Sequence, residues 1–551
     1  MLRLDASALD YGILAVYFLV VLGIGVVARM SVKTDIDFFL SGRSLPAWIT
    51  GLAFIAANLG ALEILGMAAN GAQYGVATVH FYWIGAVPAM VFLGIVMMPF
   101  YYGAKVRSVP EYLRLRFNEP THALNAATFA VATVLIAGVN LFALALIVHL
   151  MLGWSISTAI IVAALIVMAY ITLGGLTSAI YNEVLQFFII VASLLPLTLI
   201  ALHDMGGWGG LQDKVKGSAL KEGGLHAWQG LGVGNVTNPI DANWIAIVFG
   251  LGFVLSFGYW TTNFAEVQRA LSAKNLSAGR RTPLIGAYPK IFIPALTIIP
   301  GLVALVSVKG LGGKNPDLQY NNAIPLLIGK YLPEGMLGIA VTGLIAAFMA
   351  GVAANVTSFN TVFTYDLWQS YVRKDRDEAY YLRVGRVATA GGLLISIATA
   401  FIAKGYDNIM NYVQLLFSYF NAPLFATFII AMFWKRTTPW AGFWGLIAGF
   451  FGAFITHELY SWGTIDLGSQ LAASFWGAII AFVADAVVTV GVSFVTAPKP
   501  DEELRGLVWG LTRKEEKPEE HDPADDAWYR SVWLLGGVAI GLVVILNIIF
   551  I

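Results

Sequence analysis

Four ionisable side chains, Glu63, Glu183, Lys290 and Asp485, lie inside stretches otherwise apolar enough to cross a bilayer. A charge at the centre of a membrane-spanning helix costs roughly 2.5–3.5 kcal/mol on insertion scales, so such groups turn inward, pair, or line a path for ions and solutes. Glu63 and Lys290 carry opposite charges and could meet across an internal site, as an ion pair or as partners in proton exchange. Glu183 could serve a cation path or a structural pairing. Asp485 belongs to a span near the C-terminus, where packing or the lipid interface is the simpler role. No cysteine is present, which excludes disulfides, thiolate metal sites and cysteine nucleophiles. His80 and His149 read as interfacial residues, and no metal-ligand cluster emerges.

Charges of this kind need elements that bring them together. Ala56-Ala57-Asn58-Leu59-Gly60-Ala61 sits midway along one apolar stretch, and Ser256-Phe257-Gly258-Tyr259 lies at comparable depth in another. A third weak point is Asn421-Ala422-Pro423. In lipid, backbone N–H and C=O groups must find partners within the protein, so a break is tolerated only beside a cavity or inside a bundle. The alternative is that small residues merely let helices pack closely. The first two interruptions fall five spans apart, so their helices cross in opposite directions. That is the pattern of an inverted repeat with broken helices meeting at the midplane.

Composition sets the frame for these elements. Of 551 residues, 58% are apolar and 12% are charged, where an ordinary soluble protein carries roughly a quarter charged residues. Apolar runs long enough to cross the roughly 30 Å hydrocarbon core recur along the chain, without the alternation of a transmembrane barrel. The pattern predicts an all-α polytopic membrane protein of about fourteen transmembrane helices, with no cleavable signal peptide. Residues 46–204 (spans 2–6) form the first repeat and 241–432 (spans 7–11) the second. Residues 10–29 and 440–551 are peripheral, and the inner loop 498–529 and the Gly-rich outer loop 205–240 are solvated connectors. Lys and Arg are about threefold richer in one set of loops, which puts both termini outside a plasma (inner) membrane. Equal numbers of acidic and basic residues, 33 each, argue against a nucleic-acid partner. Nothing points to an obligate protein partner.

Several segments carry a resemblance: Asp37-Phe-Phe-Leu-Ser-Gly-Arg-Ser-Leu-Pro-Ala-Trp48 running into Ala56-Ala-Asn58, Gly174-Gly-Leu-Thr-Ser-Ala-Ile-Tyr-Asn-Glu183 with Gln186, and Gln268-Arg269-Ala-Leu-Ser-Ala-Lys274. Together they resemble the sodium/solute symporter family, in its sodium/galactose and sodium/glucose branch. The resemblance implies a LeuT-like 5+5 inverted-repeat core, alternating access, and import of a small organic solute, sugar-like or otherwise polar, driven by sodium. It matches Lys290 and Gln414 to solute-contacting positions and Tyr259 to a cytoplasmic gate. Glu63, Tyr82 and Ser256 stand at solute-site positions where the sugar branch has Gln, Glu and Asn. For the cation, Ala56, Leu59 and Ala347 match backbone ligands, and Glu183 matches an acidic position on the exit path. Ala350 and Gly351 replace two serines, so two hydroxyl ligands are missing. A serine restored at Gly351 is therefore expected to strengthen sodium dependence.

These departures keep a proton-coupled or uncoupled transporter open as the alternative, and a membrane solute sensor as a remoter one. A channel would need a filter or charged ring, and an enzyme would need a clustered nucleophile, acid–base pair or metal. Neither is visible, so no catalytic residue and no cofactor is expected. Phe81, Trp83, Trp260 and Phe417 could face the solute.

Overall fold

The structure is a computed structural model and describes residues 6–31, 39–104, 106, 108–313, 315, 318–511 and 527–551. Asp37 and Phe38 of the first motif, and the acidic run from Glu515 to Asp526, lie outside the described residues. The described chain is built of helices, with one small hairpin pairing Leu231–Gly232 with Asn235–Val236. Ten helices are long and apolar enough to cross a membrane, or up to twelve if each of two bent pairs counts as one span. The all-helical polytopic architecture is therefore present. Two helices expected as spans fall outside that count: Ile156–Ala169, the first part of the long helix Ile156–Asp204, and Ala441–Ser461.

The helices sort into an enclosed centre and an exposed rim. In the most apolar 18-residue stretch of Met336–Val372 and of Glu119–Leu152, 89% and 83% of residues are buried, against 17% for the last span, Val532–Ile549. All three are strongly apolar, because a helix facing lipid and one facing other helices both exclude charge. Close approach at the centre rests on small residues. A Cβ on Gly301, in Leu276–Ser307, would stand 2.2 Å from the Ala68 carbonyl oxygen, so only glycine lets these helices meet.

The two bends define the site. The first, of 58°, separates Ala47–Asn58 from Leu62–Val79. The Leu59 amide still reaches back to the Ile55 and Ala56 carbonyls, and Gly60 N–H donates to Asn58 O at 2.7 Å. Helical winding then resumes as the wide π-turn Leu62–Gly66, a geometry that concentrates at functional sites. This break lies where the sequence places it. The second does not. Ala246–Ser256 winds as a π-helix, Phe257–Thr262 is α-helical, and the 49° bend falls after Thr262. Asn263 takes an extended ψ of 110°, and its side chain accepts from Ala265 N–H at 3.0 Å, capping the helix Phe264–Leu271. An N-capping Asn stops one helix and starts the next, whereas Gly258 serves contact: its Cβ would meet the Asn421 carbonyl oxygen at 2.9 Å. The third weak point is no break, since Ile409–Phe433 runs unbroken through Pro423.

Candidate functional site

A cavity of about 50 Å³ lies between the two bent spans, lined by Asn58, Glu63, Ser256, Tyr259, Lys290 and Gln414 among others. Glu63 projects from the π-turn after the first bend, where extra room in the winding turns it inward. Lys290 reaches it from Leu276–Ser307: its Nζ lies 2.5 Å from Glu63 Oε1 and also donates to Asn58 Oδ1. The ammonium sits 4.9 Å from the Tyr82 ring centroid and 5.0 Å from that of Trp260, so two aromatic faces supplement the carboxylate. Tyr82 completes the arrangement by donating its hydroxyl to Glu63 Oε2 at 2.7 Å. Both carboxylate oxygens and two of the three ammonium donors are thus engaged. The sequence left open whether Glu63 and Lys290 meet, and here they do.

Tyr259 forms part of the cavity wall. Its hydroxyl accepts from Asn58 Nδ2 at 2.9 Å and donates to Glu266 Oε1 at 2.6 Å. Its ring packs 4.9 Å from Phe417 and 5.1 Å from Trp260. Both bent spans are therefore bonded to one phenol, and moving it requires breaking both hydrogen bonds. Ser256 and Gln414 line the cavity with polar atoms only loosely engaged. Ser256 Oγ donates to the Leu251 carbonyl at 2.8 Å, and among the described residues Gln414 Nε2 meets the Met410 sulfur, a weak acceptor, at 3.3 Å.

The helix break that carries Ala56 and Leu59 packs against the helix that carries Ala347, Ala350 and Gly351. Ala56 and Leu59 end the first half-helix, and Ala347, Ala350 and Gly351 are buried on Met336–Thr361 opposite. A Cβ on Gly60 would lie 3.3 Å from Gly351 Cα, so the break packs against this helix. What fills the junction is Asn140. Its Oδ1 accepts from Ala61 N–H at 2.8 Å and lies 2.2 Å from where a Cβ on Gly351 would be. A carboxamide oxygen thus stands where a serine side chain at 351 would have to fit. A serine at 351 therefore requires the Asn140 side chain to move.

The Glu183 carboxylate is gripped by Arg269 Nη2 and Nε, with both side chains buried. Asp485 accepts from Thr427 at 2.7 Å and Thr489 at 3.0 Å, a packing role away from the cavity. His80 meets the outer loop 205–240. It is buried, with Nε2 2.7 Å from the Ala227 carbonyl of the outer loop and its ring against Trp228. Phe81, Trp260 and Phe417 line the cavity. Trp83 instead packs on Phe550 and donates to the Ile291 carbonyl.

Sequence reading missed Asn140 and Glu266. A span ending at residue 262 left Glu266 in a loop, and the spacing Asn263…Glu266 is that of an ordinary helix cap. An Asn in an apolar span, such as Asn140, is the only trace the junction leaves in the sequence.

Residues 38–449 match the model of the Sodium:solute symporter family. Sodium/glucose cotransporter 1 of Oryctolagus cuniculus is 30% identical, covering 94% of this chain and 84% of the relative. Sodium/glucose cotransporter 4 of Danio rerio is 29% identical over 95% of this chain and 84% of the relative. A Na+-coupled sialic acid symporter solved in a substrate-bound outward-open state shares the fold, with a TM-score of 0.74 at 18% identity. That likeness covers 90% of this chain and 99% of the other.

Proposed function

This chain belongs to the sodium:solute symporter family, a multi-pass membrane transporter and not an enzyme, and we propose that it imports a small polar organic solute by sodium-coupled alternating access. The observation that carries the reading is the small cavity held between two bent spans, with Tyr259 in its wall hydrogen-bonded to both of them. Its one acid and one base neutralise each other, so a neutral or zwitterionic solute enters without leaving a net buried charge. Aromatic faces at Trp260, Phe417 and Phe81 suit the apolar face of a sugar ring, and the sodium/glucose cotransporters among the relatives support a sugar-like solute. At about 50 Å³, the cavity is far below the roughly 300–1,000 Å³ of small-molecule sites. A solute of that size therefore requires the cavity to widen, and the reading assigns that movement to Tyr259.

We place the coupling sodium at the junction of the first break, among the carbonyls of Ala56, Leu59 and Ala347, with Ala350 and Gly351 as the neighbouring positions and Glu183 on the way out. The chain crosses the membrane fourteen times in this reading, counting Ile156–Ala169 and Ala441–Ser461. Spans 2–6 and 7–11 form a LeuT-like inverted repeat, and both termini face outside the plasma membrane. The lack of a hydroxyl at Ala350 and Gly351 favours a second reading, in which a proton replaces sodium.

Uptake into proteoliposomes separates the two. D-glucose, D-galactose and a panel of polyols and amino acids are offered with a sodium gradient or a proton gradient imposed alone. Accumulation above equilibrium under the sodium gradient is expected for at least one solute. If neither gradient drives accumulation of any solute, active symport is wrong.

A further inference from the structure

Beyond the cavity, hydrogen bonds and ion pairs continue inward through Glu63, Lys290, Asn58 and Tyr259 to Glu266. Glu266 is 2% exposed. One of its oxygens accepts the Tyr259 hydroxyl, while Oε2 is buried with no hydrogen-bond partner. No ion pair reaches its carboxylate among the described residues. The cations nearby are committed elsewhere, Lys290 to Glu63 and Arg269 to Glu183.

The groups that face Glu266 are Tyr259 and Arg269 from its own bent span, Glu183 from Ile156–Asp204 and Lys290 from Leu276–Ser307. Arg280 and Arg281 lie toward the start of that last helix. Met98–Gly103 adds Tyr101, bonded to the Thr261 carbonyl, and Tyr102, bonded to that of Ala273. Ala47–Asn58 and Met336–Thr361, also packed against Phe264–Leu271, carry no titratable side chain. The linked buried set therefore holds three carboxyl groups, Glu63, Glu183 and Glu266, against two cations. A single uncompensated charge in so dry a place is strongly unfavourable, and taking up one monovalent cation removes it.

We infer that Glu266 is a proton-binding site of the transport cycle, holding one proton while Tyr259 is shut and releasing it to inner water when Tyr259 moves away. In binding, the carboxylate takes a proton from water and becomes the neutral acid; in release, the same proton returns to water on the other side. Sodium entering this neighbourhood supplies the missing positive charge instead, so the two ions compete. The inference rests on reading Tyr259 as the gate of a transporter.

Infrared spectroscopy of the purified protein in liposomes tests it without any solute, by following the carbonyl band of protonated carboxyl groups as pH is lowered. The wild type should show a titrating band that is lost in Glu266→Gln, and at fixed pH the band should shrink on adding NaCl but not choline chloride. Should Glu266→Gln not yield folded protein, Glu266→Asp should shift the pH at which the band appears. A band unchanged in both variants, or one indifferent to sodium, overturns the inference. A failed solute-uptake screen would reject the transport reading separately, because the titration needs no transport.

Discussion

Lys290→Met is expected to abolish solute transport and to lower stability by about 3–5 kcal/mol, the usual penalty for stripping one partner from a buried ion pair. The substitution keeps the side chain's length while leaving Glu63 beside an apolar group, with only the Tyr82 hydroxyl to accept from. It also removes the donor to Asn58 Oδ1, which loosens the residue bonded to Tyr259. The companion Glu63→Gln should insert normally but alter solute or proton dependence. The double variant Glu63→Gln/Lys290→Met should regain most of the stability, because neither member of the pair is left charged without its partner, without regaining transport. Thermal unfolding in detergent and solute counterflow read the two effects apart. A Lys290→Met protein as stable as wild type would mean that the pair is open to water and not the buried contact described above.

Gly351→Ser has the second large effect. The added Cβ would fall 2.2 Å from Asn140 Oδ1, and overpacking of this kind costs about 1–3 kcal/mol. If Asn140 is driven out, the Ala61 N–H at the start of the second half-helix also loses its acceptor. The single variant should therefore be less stable and no more sodium-dependent than wild type. Asn140→Ala combined with Gly351→Ser frees the space and supplies a hydroxyl, and should raise apparent sodium affinity above that of either single variant. Sodium-dependent uptake and thermal shift in NaCl against choline chloride measure this. A well-folded Gly351→Ser protein with strengthened sodium dependence would show that Asn140 does not hold the junction.

The membrane class, the helical fold and the first break were readable because each has a local cause: charge depletion, long apolar runs, and Asn and Gly at mid-span. The second break was misplaced because Gly258 carries the same local signal as a break, while its role is contact with the Asn421 carbonyl. The real bend is set by Asn263, a capping residue that in an apolar chain looks like the end of a span. Glu63 and Lys290 announced themselves as charges in lipid, but their meeting depends on packing between helices distant in sequence. Asn140 shows in the sequence only as a polar residue in an apolar span, and it is the approach of Gly60 and Gly351 from two other helices that gives it a role. Central and rim helices were indistinguishable, since both are apolar all round.

The absence of cysteine makes alternation of the cavity directly measurable. Ser256→Cys places a single thiol on the cavity wall, and a membrane-impermeant maleimide can be applied from either face of oriented vesicles. The thiol should react from the outer face in sodium chloride and from the inner face in choline chloride, with protection on the opposite face each time. Reaction from one face alone under every condition, or from both faces at once, would contradict a cavity that opens to the two sides in turn.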